Sequence, residues 1–152
     1  MLELARVTSD DVLFDLGSRD GRIAITAAVR YGAPATGVEL NAELIRQSTA
    51  AAAEMGVADR TSFLHEDLFA VPLETATVVT LYLLPPANLA LRSKLLGELA
   101  TGARVVSHAF DMGDWSPNEV SPSTGIGCSC GLSTTGRAGI VNRDETAVLP
   151  AR

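Results

Sequence analysis

Asp15 and Glu39 each come at the end of a short apolar run, Asp67 follows another and precedes the apolar pair Leu68-Phe69, and Asp15 leads into the glycine-bracketed turn Gly17-Ser18-Arg19-Asp20-Gly21. A carboxylate delivered to the end of a strand can accept hydrogen bonds from sugar hydroxyls or a ligand ammonium. A turn that opens a helix adds free N–H groups and the positive end of the helix dipole, which attract a carboxylate or phosphate. Gly17 and Gly21 let backbone pass close to a ligand. Together these residues imply a nucleotide-like molecule seated above the turn from Val12 to Gly21, VLFDLGSRDG.

Spacing separates the two common nucleotide cofactors. The dinucleotide fingerprint would require glycine at 17, 19 and 22, but the chain carries Gly17, Arg19 and Arg22. A nicotinamide-dependent oxidoreductase is therefore disfavoured. What remains is an acidic strand end followed by G-x-x-x-G, with a second acid, Glu39, eighteen residues past Gly21. A ribose-binding acid falls near there in a βαβ unit, and it can accept from both ribose hydroxyls.

The elements that must position these residues follow from periodicity. Leu2, Leu4, Ala5 and Val7 suggest a short helix leading to the first strand. Ile23, Ala24, Ala27, Ala28 and Tyr31 recur at helical spacing before Gly32. A second strand is expected over Ala35 to Leu40, then a helix capped by Asn41 with Leu44, Ile45, Ser48, Ala52 and Met55 turned inward. Thr61 to His65 reads as a third strand, Ala76 to Leu83 as a fourth at the sheet centre, and Arg104 to Phe110 as a fifth. Between the last two, Pro85 and Pro86 start a helix with Leu91, Leu95 and Leu99 on one face. Strands alternating with helices give an α/β fold with a parallel sheet in the order 3-2-1-4-5 and helices on both faces.

Beyond Trp115 the periodicity stops, and Gly, Ser and Thr dominate residues 121 to 152. The expected organisation is one domain over residues 1–117 and an irregular tail over 118–152. Cys128 and Cys130 lie in that tail, too few and too close for a disulfide framework, and with only two histidines in the chain a zinc site has little support. No metal is expected. Neither a signal peptide nor a membrane-spanning run is legible, so a cytoplasmic protein is the expectation. The formal net charge of −6 offers no basic footprint for nucleic acid and is more compatible with a basic or neutral acceptor.

The DLGSRDG turn resembles motif I of the class I S-adenosylmethionine methyltransferases. DGRI at 20–23, GVELN at 37–41 and EDLF at 66–69 look like the subgroup of seven-strand protein-lysine methyltransferases. The resemblance covers residues 1 to 117 and implies a Rossmann-like three-layer sandwich with S-adenosylmethionine as cofactor. It further implies that Asp15 orders the cofactor's amino-acid portion while Gly17, Ser18 and Gly21 let the backbone approach. Glu39 would hold the ribose, Leu40 flank the adenine, Asp67 face its N6, and Leu68 donate from its backbone. Tyr82 to Pro86 occupies the place where the family lines the methyl-transfer channel; the residue-level alternative for Tyr82 is core packing.

The acceptor favoured by the resemblance is a protein lysine. The Asn/Asp-Pro-Pro-aromatic signature of base or glutamine methylation is missing. His108, Asp111 and Asp114, just past the fifth strand, are the candidate catalytic groups, with Trp115 as a wall for an alkylammonium. On its residues alone His108 reads rather as a core-edge histidine, and the two acids can be read as a solvated loop. The family's final antiparallel hairpin is not legible, which would leave the fifth-strand edge open to self-association. Arg19 stands where the family usually has glycine: its side chain would either crowd the ligand, the favoured expectation being weaker cofactor binding, or pair its guanidinium with the cofactor carboxylate. A rival reading is a catalytically impaired cofactor-binding module with a regulatory or oligomerising role.

Overall fold

The computed structural model describes residues 1–108, 119–120 and 128–131. Its strands are β1 (Leu13–Leu16), β2 (Ala35–Glu39), β3 (Thr61–His65), β4 (Val78–Leu81), β5 (Arg104–Ser107), β6 (Glu119–Val120) and β7 (Cys128–Gly131). Its helices are α1 (Arg22–Tyr31), α2 (Ala42–Glu54) and α3 (Pro85–Glu98). The sheet runs β3-β2-β1-β4-β5-β7-β6, so the expected parallel order 3-2-1-4-5 stands at its heart.

Alternation along the strands sorts side chains onto two cores. Phe14, Leu16, Val38, Val79, Leu81 and Val105 pack with Leu91 and Leu95 of α3 and with Leu99 at its C-cap, the face read from their spacing. Leu13, Ala35, Val78 and Val106 face the other way, against Ala24 and Ala27 of α1 and against Leu2, Ala5 and Val7. β1 and β4 are buried throughout, as central parallel strands are when helices cover both faces. α2 joins the α1 layer through Ile25, Ala28, Ala52 and Val57. Asn41 caps it by accepting from Glu43 N–H at 2.9 Å and Leu44 N–H at 3.4 Å.

Several expectations are corrected. The N-terminal segment is a set of turns rather than a helix: Ala5 N–H donates to Met1 O and Arg6 N–H to Glu3 O, but Arg6 takes φ +50°, which stops helical propagation. Met55, placed on the inward stripe of α2, is exposed at its end. β4 ends at Leu81 and β5 at Ser107, both short of the sequence reading, and after β4 the chain turns out of the sheet at Tyr82 and Leu83.

The terminal hairpin, not legible in the sequence, is present. β7 pairs antiparallel with β5, Arg104 opposite Gly131 and Val105 opposite Cys130, and β6 pairs antiparallel with β7. The β5 edge is thereby covered, so it is not the open edge expected for self-association. Strands of two and four residues carry no period to detect; main-chain pairing with β5 makes them strands.

Candidate functional site

At the carboxyl end of the parallel strands, a crevice of about 300 Å³ is lined by Gly17, Arg19, Val38, Glu39, Leu40, Glu66, Leu68, Tyr82, Leu83 and Leu84. It sits where β1 and β4 hand the chain to loops on opposite sides of the sheet centre, the switch point at which open α/β sheets bind ligands. Gly17, Glu39, Leu40 and Leu68, named from the sequence as cofactor residues, stand in its wall, as do Tyr82, Leu83 and Leu84 of the stretch named as channel lining.

The turn after β1 is pinned to β2 by two N–H groups, Gly17 and Ser18, both donating to Val38 O at 2.9 Å. Gly17 has φ +80°, and a Cβ there would meet Leu83 Cδ2 at 2.6 Å, so a side chain would close the gap between turn and rim. Gly21 is the α1 N-cap, behind the wall.

Glu39 is fixed from both sides. Its Oε2 accepts Arg19 N–H at 3.1 Å and its Oε1 accepts Asn41 N–H at 3.0 Å. A carboxylate has about four lone-pair sites, so roughly two stay open to hydroxyl donors from the crevice. His65 steadies the neighbouring wall residue, its Nε2 lying 2.8 Å from Leu40 O.

Asp15 and Ser18 lie beneath the wall rather than in it, 2% and 4% exposed. Thr80 O–H donates to Asp15 Oδ1 at 2.6 Å. Asp15 Oδ2 and Ser18 Oγ find no hydrogen-bond partner among the described residues. Burial pushes the Asp15 carboxyl up to about 7, the Thr80 hydrogen bond pulling against this and the nearby Asp20 charge adding to it. Buried polar atoms without a protein partner are the kind that a ligand or an ordered water satisfies.

Asp67 is not brought into the wall. It is exposed, and its Oδ1 accepts Phe69 N–H at 2.9 Å in a tight local turn, while its neighbours Glu66 and Leu68 line the crevice. Tyr82, whose alternative reading was core packing, is 46% exposed at the rim. Its ring meets His108 edge-on with centroids 4.3 Å apart, and His108 N–H donates to Leu81 O at 2.8 Å. Asp111, Asp114 and Trp115 lie outside the described residues.

Leu83 and Leu84, within the stretch Tyr82 to Pro86 read as channel lining, and Arg19, read as the departure nearest the ligand, also stand in the wall, whereas sequence reasoning missed Val38 and took Asp67 rather than Glu66 as the contacting acid. An acid adjacent to Asp67 was the one available signal for Glu66. Among the described residues no cluster of His, Cys, Asp and Glu could hold a metal. No helix is long and apolar enough to cross a membrane among them.

Residues 15–119 match the model of the ANTKMT methyltransferase domain. A protein-lysine N-methyltransferase of Saccharolobus islandicus is 47% identical over 121 residues, covering 79% of this chain and 75% of the relative. The adenine nucleotide translocase lysine N-methyltransferase of Mus musculus is 37% identical, over 69% of this chain and 46% of its own length. This chain spans about half the length of the mammalian relatives it matches. A crystal structure of an RNA methyltransferase from Salinibacter ruber with S-adenosyl-L-homocysteine superposes with a TM-score of 0.82 at 41% identity, covering 99% of this chain and 93% of that one.

The crevice fits such a group: a turn whose backbone a Cβ would obstruct, a carboxylate with free lone pairs in the wall, and buried polar atoms below it without partners among the described residues. The chain belongs to the ANTKMT methyltransferase domain family and is a class I, S-adenosylmethionine-dependent methyltransferase of Rossmann-like fold.

Proposed function

We propose that the methyl acceptor is the ε-amino group of a protein lysine. The observation that carries this reading is the 47% identity to a protein-lysine N-methyltransferase over 79% of the chain. The net charge of −6 supports it, since an acidic body attracts a basic segment and repels a polyanion.

In the proposed arrangement Glu39 accepts from the ribose hydroxyls, Leu40 and Leu68 flank the adenine, and Asp15 and Ser18 order the amino-acid end from beneath Gly17. Gly21 sets the entry of α1 that frames the turn. Asp67, held in its local turn, reaches the adenine N6 only from outside the wall; Glu66 is the better placed acid. When bound, S-adenosylmethionine supplies an electrophilic methyl for in-line displacement. No nucleophilic side chain is needed, and alignment of acceptor and methyl supplies roughly 7–11 kcal/mol of barrier lowering. A lysine ammonium, with an ordinary pKa of about 10.4, must first lose a proton. Tyr82 and His108 form the rim past which the amine enters, and His108, Asp111 and Asp114 are the groups proposed to desolvate it and take that proton.

A second reading has its own observation: the Salinibacter structure is described as an RNA methyltransferase. One experiment separates the two. The purified chain is incubated with tritiated-methyl cofactor and cell lysate, and the product is treated with protease or with ribonuclease. Label released by protease and recovered as methyllysine is expected. Label released by ribonuclease overturns the lysine reading, and no label at all favours the impaired module.

A further inference from the structure

Register brings five residues abreast across the sheet. Asp15 lies opposite Gly37 of β2 and Thr80 of β4, Gly37 opposite Phe63 of β3, and Thr80 opposite Val106 of β5. Residues abreast in a parallel sheet project to the same side. Their neighbours two positions back, Leu13, Ala35 and Val78, pack against α1, so the row faces the helix that the cofactor turn begins.

Two members of this row shape the surroundings of Asp15. A Cβ on Gly37 would lie 2.7 Å from Phe63 Cδ1 and 2.8 Å from Ser18 Oγ, so the missing side chain is what lets the Ser18 hydroxyl settle over the sheet. Thr80 is fully buried between Val79 and Leu81, where valine would fit the same space and only the hydroxyl would be lost. That hydroxyl carries one proton. Asp15 Oδ1 receives it at 2.6 Å, the competing acceptor, Phe14 O, lying at 3.5 Å.

We propose that Thr80 is a positioning residue for the cofactor: by donating to one oxygen of Asp15 it fixes the carboxylate and keeps the other oxygen, Oδ2, as the acceptor for the amino-acid end of the ligand. This rests on the reading that Asp15 serves that end. The hydrogen bond also favours the charged carboxylate, against burial and against Asp20 in the turn. Asp20 is itself paired with Arg22, and Gly37 and Thr80, the residues that β2 and β4 set beside Asp15, carry no titratable group. Without the hydroxyl, Asp15 is protonated at a pH where the native chain has it charged.

The test measures binding of S-adenosylhomocysteine, and of 5′-methylthioadenosine, which lacks the amino-acid end, to the full chain and its Thr80→Val, Thr80→Ser and Asp15→Asn variants across pH. Thr80→Val is expected to weaken S-adenosylhomocysteine roughly fivefold near neutral pH, where Asp15 is already partly protonated, and about tenfold below it, one pKa unit being a factor of ten. The deficit closes at alkaline pH, methylthioadenosine is unaffected, and Thr80→Ser restores affinity. A deficit constant with pH, one shared by methylthioadenosine, or no deficit overturns the inference. Asp15→Asn separates the two layers: wild-type affinity in that variant removes the role of Asp15, whereas a loss there with normal binding by Thr80→Val removes only the role of Thr80.

Discussion

At the scale of single residues, Arg19 is the departure that matters most. It takes φ +50°, the left-handed region, where a side chain costs roughly 1–2 kcal/mol, and the residue lines the crevice wall. Its backbone is nonetheless in use: the N–H holds Glu39 Oε2, and the carbonyl accepts Ser48 O–H at 3.2 Å. Arg19→Gly keeps both bonds. It relieves the strain but frees the unfolded chain by a comparable amount, so stability should change little. The wall beside the turn becomes more open. Cofactor affinity is expected to rise severalfold with the melting temperature nearly unchanged, as read by calorimetric titration and a thermal melt. Unchanged affinity would refute the crowding by Arg19, and weaker affinity would mean instead that the guanidinium pairs with the cofactor carboxylate.

At the scale of elements, Asp11 and Arg104 tie the N-terminal turns to β4 and β5. Asp11 accepts Thr8 N–H at 2.8 Å and Thr77 O–H at 2.7 Å, and pairs with the Arg104 guanidinium, which also donates to Ala5 O at 2.6 Å. Burial pulls the Asp11 carboxyl up, but these donors and the Arg104 charge together hold it below its ordinary value. A depressed carboxyl stabilises the fold above its unfolded pKa of about 3.8, and the gain is lost as pH falls through the lower folded value. Asp11→Asn is therefore expected to cost about 2 kcal/mol at neutral pH in urea denaturation, with the gap to wild type closing under strongly acidic conditions. A gap that persists there would assign the loss to packing. Such long-range ties are invisible in the sequence because Asp11 and Arg104 are 93 positions apart, which is also why the first residues read as a helix. The strand interiors were legible, as Val78, Val79 and Leu81 carry a continuous apolar signal. Strand ends were not: the same apolar run continues through Tyr82 and Leu83, and only the sheet's geometry turns it from core into crevice rim.

At the scale of the whole molecule, the crevice and the β6–β7 hairpin occupy different parts of one sheet. Every wall residue falls between Gly17 and Leu84, whereas β7 covers the β5 edge on the far side of β4. That separation explains what the sequence disclosed. Asp15, Glu39 and their glycines are close in the chain and could be read as a site, while the hairpin depends on pairing between Val105 and Cys130 and leaves no local mark. It also makes the two separable in solution. A chain ending at residue 117 is expected to bind S-adenosylhomocysteine about as tightly as the full chain, because the residues that hold it are untouched. Its β5 edge then presents unpaired main-chain groups, which invites pairing with another copy. Size-exclusion chromatography should show concentration-dependent association of the shortened chain and not of the full one. If the shortened chain stays monomeric, the hairpin is not what guards that edge; if it loses the cofactor, the crevice depends on the far side of the sheet after all.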